Sequence, residues 1–392
     1  MTQEFEVERI PVTVSFDESA LYTETYGFAG TSGTVFLEGQ RLTPKGKPAD
    51  AVILFMHPSS TLQLMPLPAA LAQAGIHVLC AGSRYAKNDT AAIMEKVVID
   101  LGAYVRHAKE VLGYRKVVLG GWSGGGSLAL FYQGEAENPT ITSTPAGDPV
   151  DLTKAGLMPA DAVTLLAAHV SRAVTLTEWM DPSVNDETNP DDRDAGLDLY
   201  DAANPNQPPY GPDFMATYRD AQIARNRRIT AWVFEMLESL KKRGGAELER
   251  AFVVHRTMAD PRWLDTTLEP NDRQANWCYL GNPETVNAGP VGLARFNTLR
   301  SWLSQWSFDH SRANGETCAK LISAPTIIIE NGADDAAPSS HAARLFAAVA
   351  SKDKQHHVID GATHYYRNQP EQLGQAVATI AGWMRERGYL DG

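Results

Sequence analysis

The stretch Val117-Val118-Leu119-Gly120-Gly121-Trp122-Ser123-Gly124-Gly125-Gly126-Ser127-Leu128-Ala129-Leu130 constrains the fold more than any other part of the chain, because it asks for a strand, a sharp turn and a helix in quick succession. Residues 117–119 are β-branched or apolar without alternation, the pattern of a short strand buried on both faces. Residues 123–130 run from small to apolar, which suits a buried helix. Between the two, Gly121-Trp122-Ser123-Gly124-Gly125 is a G-x-S-x-G match, which sets a serine on a strained strand-to-helix turn with its hydroxyl above the sheet edge. Glycines two positions to either side are required where strand and helix backbones come too close for a Cβ. A glycine-rich turn with no chemical role would carry the same letters. The match points to catalysis only if the chain also supplies a base, an acid and an oxyanion site in the right order.

The surrounding chain alternates strand and helix. Residues 5–16 alternate in polarity and residues 33–39 form a second short strand, together an antiparallel edge. Ala51-Val52-Ile53-Leu54-Phe55-Met56 reads as a central strand, and residues 75–81 as the next. Asn88-Asp89-Thr90 is placed to cap a helix over about 91–112, with Ile93, Val97, Leu101, Val105 and Leu112 at helical spacing and Gly113 as its stop. Such alternation predicts a mostly parallel sheet with right-handed crossovers and helices on both faces. Residues 137–160 read as an excursion and residues 162–169 return to the sheet. Residues 181–213, rich in Asp, Asn and Pro, offer little for regular structure. A long amphipathic helix is predicted over 216–243, on the stripe Ile229, Val233, Met236, Leu237 and Leu240, and shorter helical pieces carry Leu299, Trp302, Leu303 and Trp306. Strands are then expected over 325–330 and 355–360, with helices over 341–350 and 370–388.

Charge and cysteine content narrow the partners. The net charge of −12 argues against nucleic acid or an anionic membrane, and no apolar run reaches a membrane-spanning length. Cys80, Cys278 and Cys318 are scattered, an odd number expected to remain free thiols in a reducing compartment. The acidic, alternating N-terminus is neither a secretory nor a transit signal, so a cytoplasmic protein is expected. Asp191-Asp192-Arg193-Asp194-Ala195-Gly196 lacks the spacing and closing Glu of a calcium loop, and no metal or cofactor is expected. His57, His77, His169, His310 and His341 lack metal-ligand spacing and read as structural or pocket-lining.

A serine hydroxyl is a poor nucleophile at neutral pH; it needs a base, and the base needs a carboxylate to hold its tautomer and stabilise its charged form. The strand ending at Glu330 is followed by Asn331-Gly332-Ala333-Asp334-Asp335-Ala336-Ala337-Pro338, and the last strand by Gly361-Ala362-Thr363-His364. The order is therefore serine, acid, base, with one helix and one strand between acid and base.

With this order and these strand-end positions, the chain resembles the α/β-hydrolases over about residues 30–136, 160–170 and 322–390. The resemblance implies Ser123 as nucleophile, His364 as general acid/base and Asp334 as orienting acid, preferred over the competing Asp335 because an Asp four residues before a Pro recurs in such loops. It implies an oxyanion site of two backbone N–H groups. One belongs to Gly124, at a helix start; the other comes from the loop after Met56, where Pro58 has no N–H and Ser59 takes the donating position. It implies a core of residues 1–171 and 321–392 and a large, mainly helical cap over 172–320. The expected activity is hydrolysis of a carboxylic ester through an acyl-enzyme. The cap aromatics Trp179, Trp302, Trp306 and Phe308 point to a bulky apolar small-molecule substrate, with His57, Trp122, Arg84 and Tyr85 as further pocket candidates. Carbon–carbon bond hydrolysis of ring-fission products, amide or thioester hydrolysis, and a non-catalytic binding role are the alternatives. The long cap helix could serve a homodimer.

Overall fold

A computed structural model describes residues 4–18 and 33–390; the other residues of the expected core range lie outside it. Its centre is an eight-stranded sheet in the order β1 (Val7–Asp17), β2 (Thr34–Pro44), β4 (His77–Gly82), β3 (Ala51–His57), β5 (Lys116–Trp122), β6 (Ala162–Leu166), β11 (Thr326–Asn331), β12 (Lys354–Ile359). β1 (Val7–Asp17) and β2 (Thr34–Pro44) form the expected antiparallel edge, in register from Val7 opposite Pro44 to Asp17 opposite Thr34. β2 pairs antiparallel with β4, and all remaining pairs are parallel. Every residue of β3 (Ala51–His57), β4 (His77–Gly82) and β6 (Ala162–Leu166) is buried, as their largely apolar sequences require of strands covered on both faces. β5 (Lys116–Trp122) lies between β3 and β6.

Helices cover both faces. α1 (Pro66–Gln73) and the final helix pack on one side with Ile53, Phe55 and Ile327; α2 (Met94–Glu110) and α3 (Gly124–Glu137) pack on the other with Leu54, Leu119 and Leu165. The α2 N-terminus corrects the expected cap. Asn88 Oδ1 accepts only from the N–H of Thr90, in a local turn, while the N–H of Met94 donates to Ser304 Oγ at 2.7 Å. A side chain more than two hundred residues away thus takes the capping position.

Between β6 and β11 the chain adds no strand to this sheet. α4 (Arg172–Trp179) is followed by a small hairpin of β7 (Val184–Asp186) and β8 (Asn189–Arg193), in the segment expected to lack regular structure. Those strands are short and mostly exposed, so they carry no apolar alternation to betray them. α5 (Pro212–Arg243) buries Ile229, Val233 and Leu240 against Leu176, Trp302 and Trp306. Its polar stripe is buried too. Gln222 Nε2 donates to the carbonyls of Glu178 and Met180 (2.7 Å each), and Arg225 Nη1 to that of Asp181 (2.7 Å), so α5 satisfies the carbonyls at and just beyond the end of α4. β9 (Ala251–Val253) and β10 (Phe296–Thr298) form a second small antiparallel pair. They are separated by α6 (Pro261–Leu264) and α7 (Pro283–Ala288), and followed by α8 (Leu299–Ser301), which continues as a π-helical turn, Trp302–Trp306. The chain is back against the main core by Ala313, where α9 (Gly315–Ala319) packs on α3. β11 (Thr326–Asn331), α10 (Ser339–Ala348), β12 (Lys354–Ile359) and α11 (Pro370–Glu386) complete the sheet. No described helix is long and apolar enough to cross a membrane.

The β5–α3 turn is packed to its limit. A Cβ on Gly121 would lie 2.8 Å from Gly126 Cα, and one on Gly125 would lie 2.5 Å from the carbonyl oxygen of Met56. Gly125→Ala must therefore push β3 and α3 apart, and is expected to lower unfolding free energy by about 1–3 kcal/mol in urea titrations. Gly374→Ala, on an open face of α11 with nothing within 4 Å, is expected to raise it by about 0.5–1 kcal/mol.

Candidate active site

Five strand ends converge on one cavity of about 190 Å³ at the carboxyl edge of the sheet. Brought there are His57 at the end of β3, Trp122 at the end of β5 and Ser123 just after it, His169 beyond β6, and His364 beyond β12, with Ala336 from the loop after β11. The segment between β6 and β11 adds Arg172, Thr175, Trp179, Tyr279 and Leu293. A wider surface depression of about 470 Å³ shares Ser59, Ser60, Asp89, Trp122 and Tyr365 with the cavity.

Ser123 sits on the turn with φ 54° and ψ −125°, a conformation L-residues rarely adopt. Backbone bonds hold it there: its N–H donates to the carbonyl of Leu166 (3.1 Å), and its carbonyl accepts from Gly126 (3.0 Å) and His169 (3.1 Å). Its Oγ is 3.1 Å from His364 Nε2. His364 Nδ1 is 2.9 and 3.0 Å from the two carboxylate oxygens of Asp334. All three residues are buried. Asp334 Oδ1 also accepts from the N–H groups of Ala336 and Ala337 (2.8 Å each), which fixes the carboxylate before it meets the imidazole. Residues between β9 and β10 brace the same loop, with Trp263 Nε1 donating to the carbonyl of Asp335 (2.6 Å) and Asn271 Nδ2 to that of Asp334 (2.9 Å). The His364 ring packs on Trp122 (centroids 4.6 Å apart) and edge-on against Tyr365 (4.9 Å).

Of the two neighbouring carboxylates, only Asp334 meets His364. The Asp335 carboxyl is pushed up to about 6 by burial and by the adjacent Asp334. A hydroxyl, an imidazole and a carboxylate in hydrogen-bonded line can move the serine proton to the imidazole and stabilise the imidazolium that results.

Other expected positions fall elsewhere. Arg84 Nη2 pairs with Asp100 at 2.7 Å, Arg84 Nη1 pairs with Glu18, and the Arg84 N–H donates to Asp100 (2.9 Å). This ties the segment after β4 down to α2, and Tyr85 is packed into the core, so neither lines the cavity. Trp302 and Trp306 are buried in a separate cluster with Leu176, Ile229 and Val233, and Phe308 packs against the main core. Of the four aromatics expected to define a bulky apolar pocket only Trp179 faces the cavity, which is small and holds imidazoles and a guanidinium as well as rings. His77 is structural, bonded to Tyr114 Oη (2.7 Å) and the Lys47 carbonyl (2.8 Å). The three cysteines are buried and unpaired.

The loop after β3 departs from expectation in one respect. The Ser59 N–H, expected to face an oxyanion, is turned onto His57 Nδ1 at 3.2 Å, and the Ser60 N–H reaches the same nitrogen at 2.9 Å. Spacing located the loop but could not show that its own histidine captures its donors. Arg172, Asp89 and Tyr279 were missed. Arg172 is buried, with its Nη2 2.5 Å from Asp89 and its Cζ 4.3 Å from the Trp306 ring centre; burial holds its guanidinium below the usual arginine range. The three come from distant segments, and no local pattern unites them.

No family model and no curated protein sequence matches this chain. Among solved structures, it is similar to DcsB, solved in complex with its substrate analogue, at 12% identity over 97% of this chain and 99% of that one, with a TM-score of 0.51. It is also similar to the alpha/beta hydrolase GrgF from Penicillium sp. sh18, at 11% identity over 96% and 98%, with a TM-score of 0.51. With its sheet order and crossover pattern, the chain has the α/β-hydrolase fold.

Proposed function

We propose that this protein is a serine hydrolase that cleaves carboxylic esters of small molecules through an acyl-enzyme. The observation that carries the reading is the unbroken line from Ser123 Oγ through His364 to Asp334, on a strained turn at the floor of a cavity. Ser123 attacks the carbonyl carbon and His364 takes its proton. The tetrahedral intermediate collapses as His364 returns that proton to the leaving alkoxide, and water activated by the same imidazole then releases the acid. The Gly124 N–H, at the start of α3, faces the developing oxyanion with the helix dipole behind it. Residues between β6 and β11 act as a cap that sets the size and polarity of the cavity. Its dimensions favour a compact ester with polar substituents over a bulky apolar one. Esters are favoured over amides because they need least help to the leaving group.

A fluorophosphonate probe tests the reading directly. The folded protein should be labelled at Ser123 alone, as read by peptide mass spectrometry, and should turn over short-chain chromogenic esters faster than long-chain ones. Absence of labelling, or labelling at another serine, would remove its basis.

A further inference from the structure

If Ser123 attacks a carbonyl, the oxyanion needs a second donor beside the Gly124 N–H, and the Ser59 N–H is already committed to His57. His57 closes the gap. Its Nδ1 accepts from two backbone N–H groups, Ser59 at 3.2 Å and Ser60 at 2.9 Å, so Nδ1 carries no proton. The proton of the neutral ring therefore lies on Nε2. That nitrogen has no hydrogen-bond partner among the described residues, although the ring is 8% exposed and lines the cavity with Ser123. It also sits directly over the nucleophile turn: a Cβ on Gly124 would lie 2.8 Å from it. Gly124 has no side chain, so the imidazole nitrogen comes close to the backbone of the residue that follows the nucleophile.

We propose that the Nε2–H of His57 is a catalytic oxyanion donor, acting with the Gly124 N–H in place of the Ser59 backbone. The surroundings suit a neutral donor that never competes with His364 as a base. Burial, then Arg172 and then His364 hold the His57 imidazole well below the usual histidine range. When His364 becomes an imidazolium during acyl transfer, its charge opposes protonation of His57 still more. The histidine thus has two tasks on two atoms: Nδ1 folds the loop over residues 57–60, and Nε2–H meets the charge that develops on the substrate oxygen.

The two atoms can be separated by substitution. His57→Asn keeps an acceptor where Nδ1 stands, and so keeps the turn, but has nothing at Nε2. His57→Gln places an amide N–H near Nε2 and gives up the acceptor at Nδ1. The proposal rests on the serine-hydrolase reading, so p-nitrophenyl acetate hydrolysis is measured first in the native protein and in Ser123→Ala. Lack of a Ser123-dependent rate overturns that reading and this inference with it. Given such a rate, His57→Asn should lose about 10²–10³-fold in kcat with KM within about threefold, as for loss of one oxyanion donor, and His57→Gln should retain at least about tenfold more kcat than His57→Asn. Equal rates, or Asn above Gln, would show that the turn and its backbone N–H groups matter rather than Nε2–H. A measurement on the unsubstituted protein guards against misfolded variants. Imidazole ¹⁵N NMR at neutral pH should show His57 protonated at Nε2 only, with that signal shifting when phenylboronic acid forms a tetrahedral adduct on Ser123. A proton on Nδ1, or an Nε2–H signal that the adduct leaves unmoved, would overturn the assignment.

Discussion

Ser123→Ala should lower kcat for ester hydrolysis by about 10⁶-fold, the scale found when a triad nucleophile is removed, while the folded structure persists. The two parts of this expectation have separate physical grounds. The strained backbone at φ 54° is held by the carbonyl of Leu166 and by the N–H groups of Gly126 and His169, not by the serine side chain, so alanine occupies the same turn. Among the described residues the hydroxyl has one hydrogen-bond partner, His364 Nε2, and that nitrogen faces a cavity once the hydroxyl is gone. Melting temperature should therefore stay within a few degrees of the parent. The rate has no such fallback, because among the described residues no other hydroxyl stands in line with both an imidazole and Asp334. His364→Ala should cost about as much, and the double variant should be little worse than either, since residues that act as a unit do not lose activity additively. Steady-state rates on one chromogenic ester, with active-site titration to exclude contaminating hydrolase, decide the matter. A Ser123→Ala protein with more than about 1% of parent kcat would remove the acyl-enzyme mechanism.

What the sequence disclosed and what it withheld follow from where each signal is stored. Strands β3, β4 and β6 were legible because strands buried on both faces must be apolar along most of their length. The turn at Ser123 was legible because glycine is the sole residue that survives 2.5 Å from the Met56 carbonyl. Positions just past β11 and β12 were legible because crossovers deliver successive strand ends to one edge. The same logic misplaced Arg84 and Tyr85: they too follow a strand, but Asp100, buried on α2, captures Arg84. Strand-end position shows where a residue enters space, not which partner wins it. Ser59 illustrates this at shorter range, its N–H claimed by a side chain two residues away. Arg172, Asp89 and Tyr279 meet only through the folding of the segment between β6 and β11, whose paired strands are just three to five residues long. The α2 cap at Ser304 is equally non-local. Chemistry built from strand ends is readable one element at a time, whereas the walls of the cavity exist only in three dimensions.

The neighbouring carboxylates Asp334 and Asp335 should respond in opposite ways to the same substitution. Asp334→Asn is expected to cut kcat by about 10⁴-fold, by fixing the wrong tautomer. Its side-chain oxygen must stay where it accepts from Ala336 and Ala337, which turns the amide NH₂ toward His364 Nδ1. An N–H donor there forces the imidazole proton onto Nε2, and an Nε2–H cannot take a proton from Ser123. Asp335→Asn leaves that line intact and should keep kcat within about threefold at neutral pH. Its effect falls on stability. The Asp335 carboxyl is raised from an ordinary value of 3.8 to about 6 by burial first and Asp334 second. A carboxyl raised on folding contributes most below its unfolded value, and that contribution is lost as pH climbs through about 6. Above that range the fold carries an ionised, half-buried carboxylate beside another. Asparagine removes the cost, so unfolding free energy relative to the parent should rise between pH 4 and pH 7.5 by on the order of 1–3 kcal/mol. Urea unfolding of both variants at the two pH values, with kcat measured in parallel, tests the whole assignment. Loss of activity in Asp335→Asn with Asp334→Asn still active would exchange the two roles.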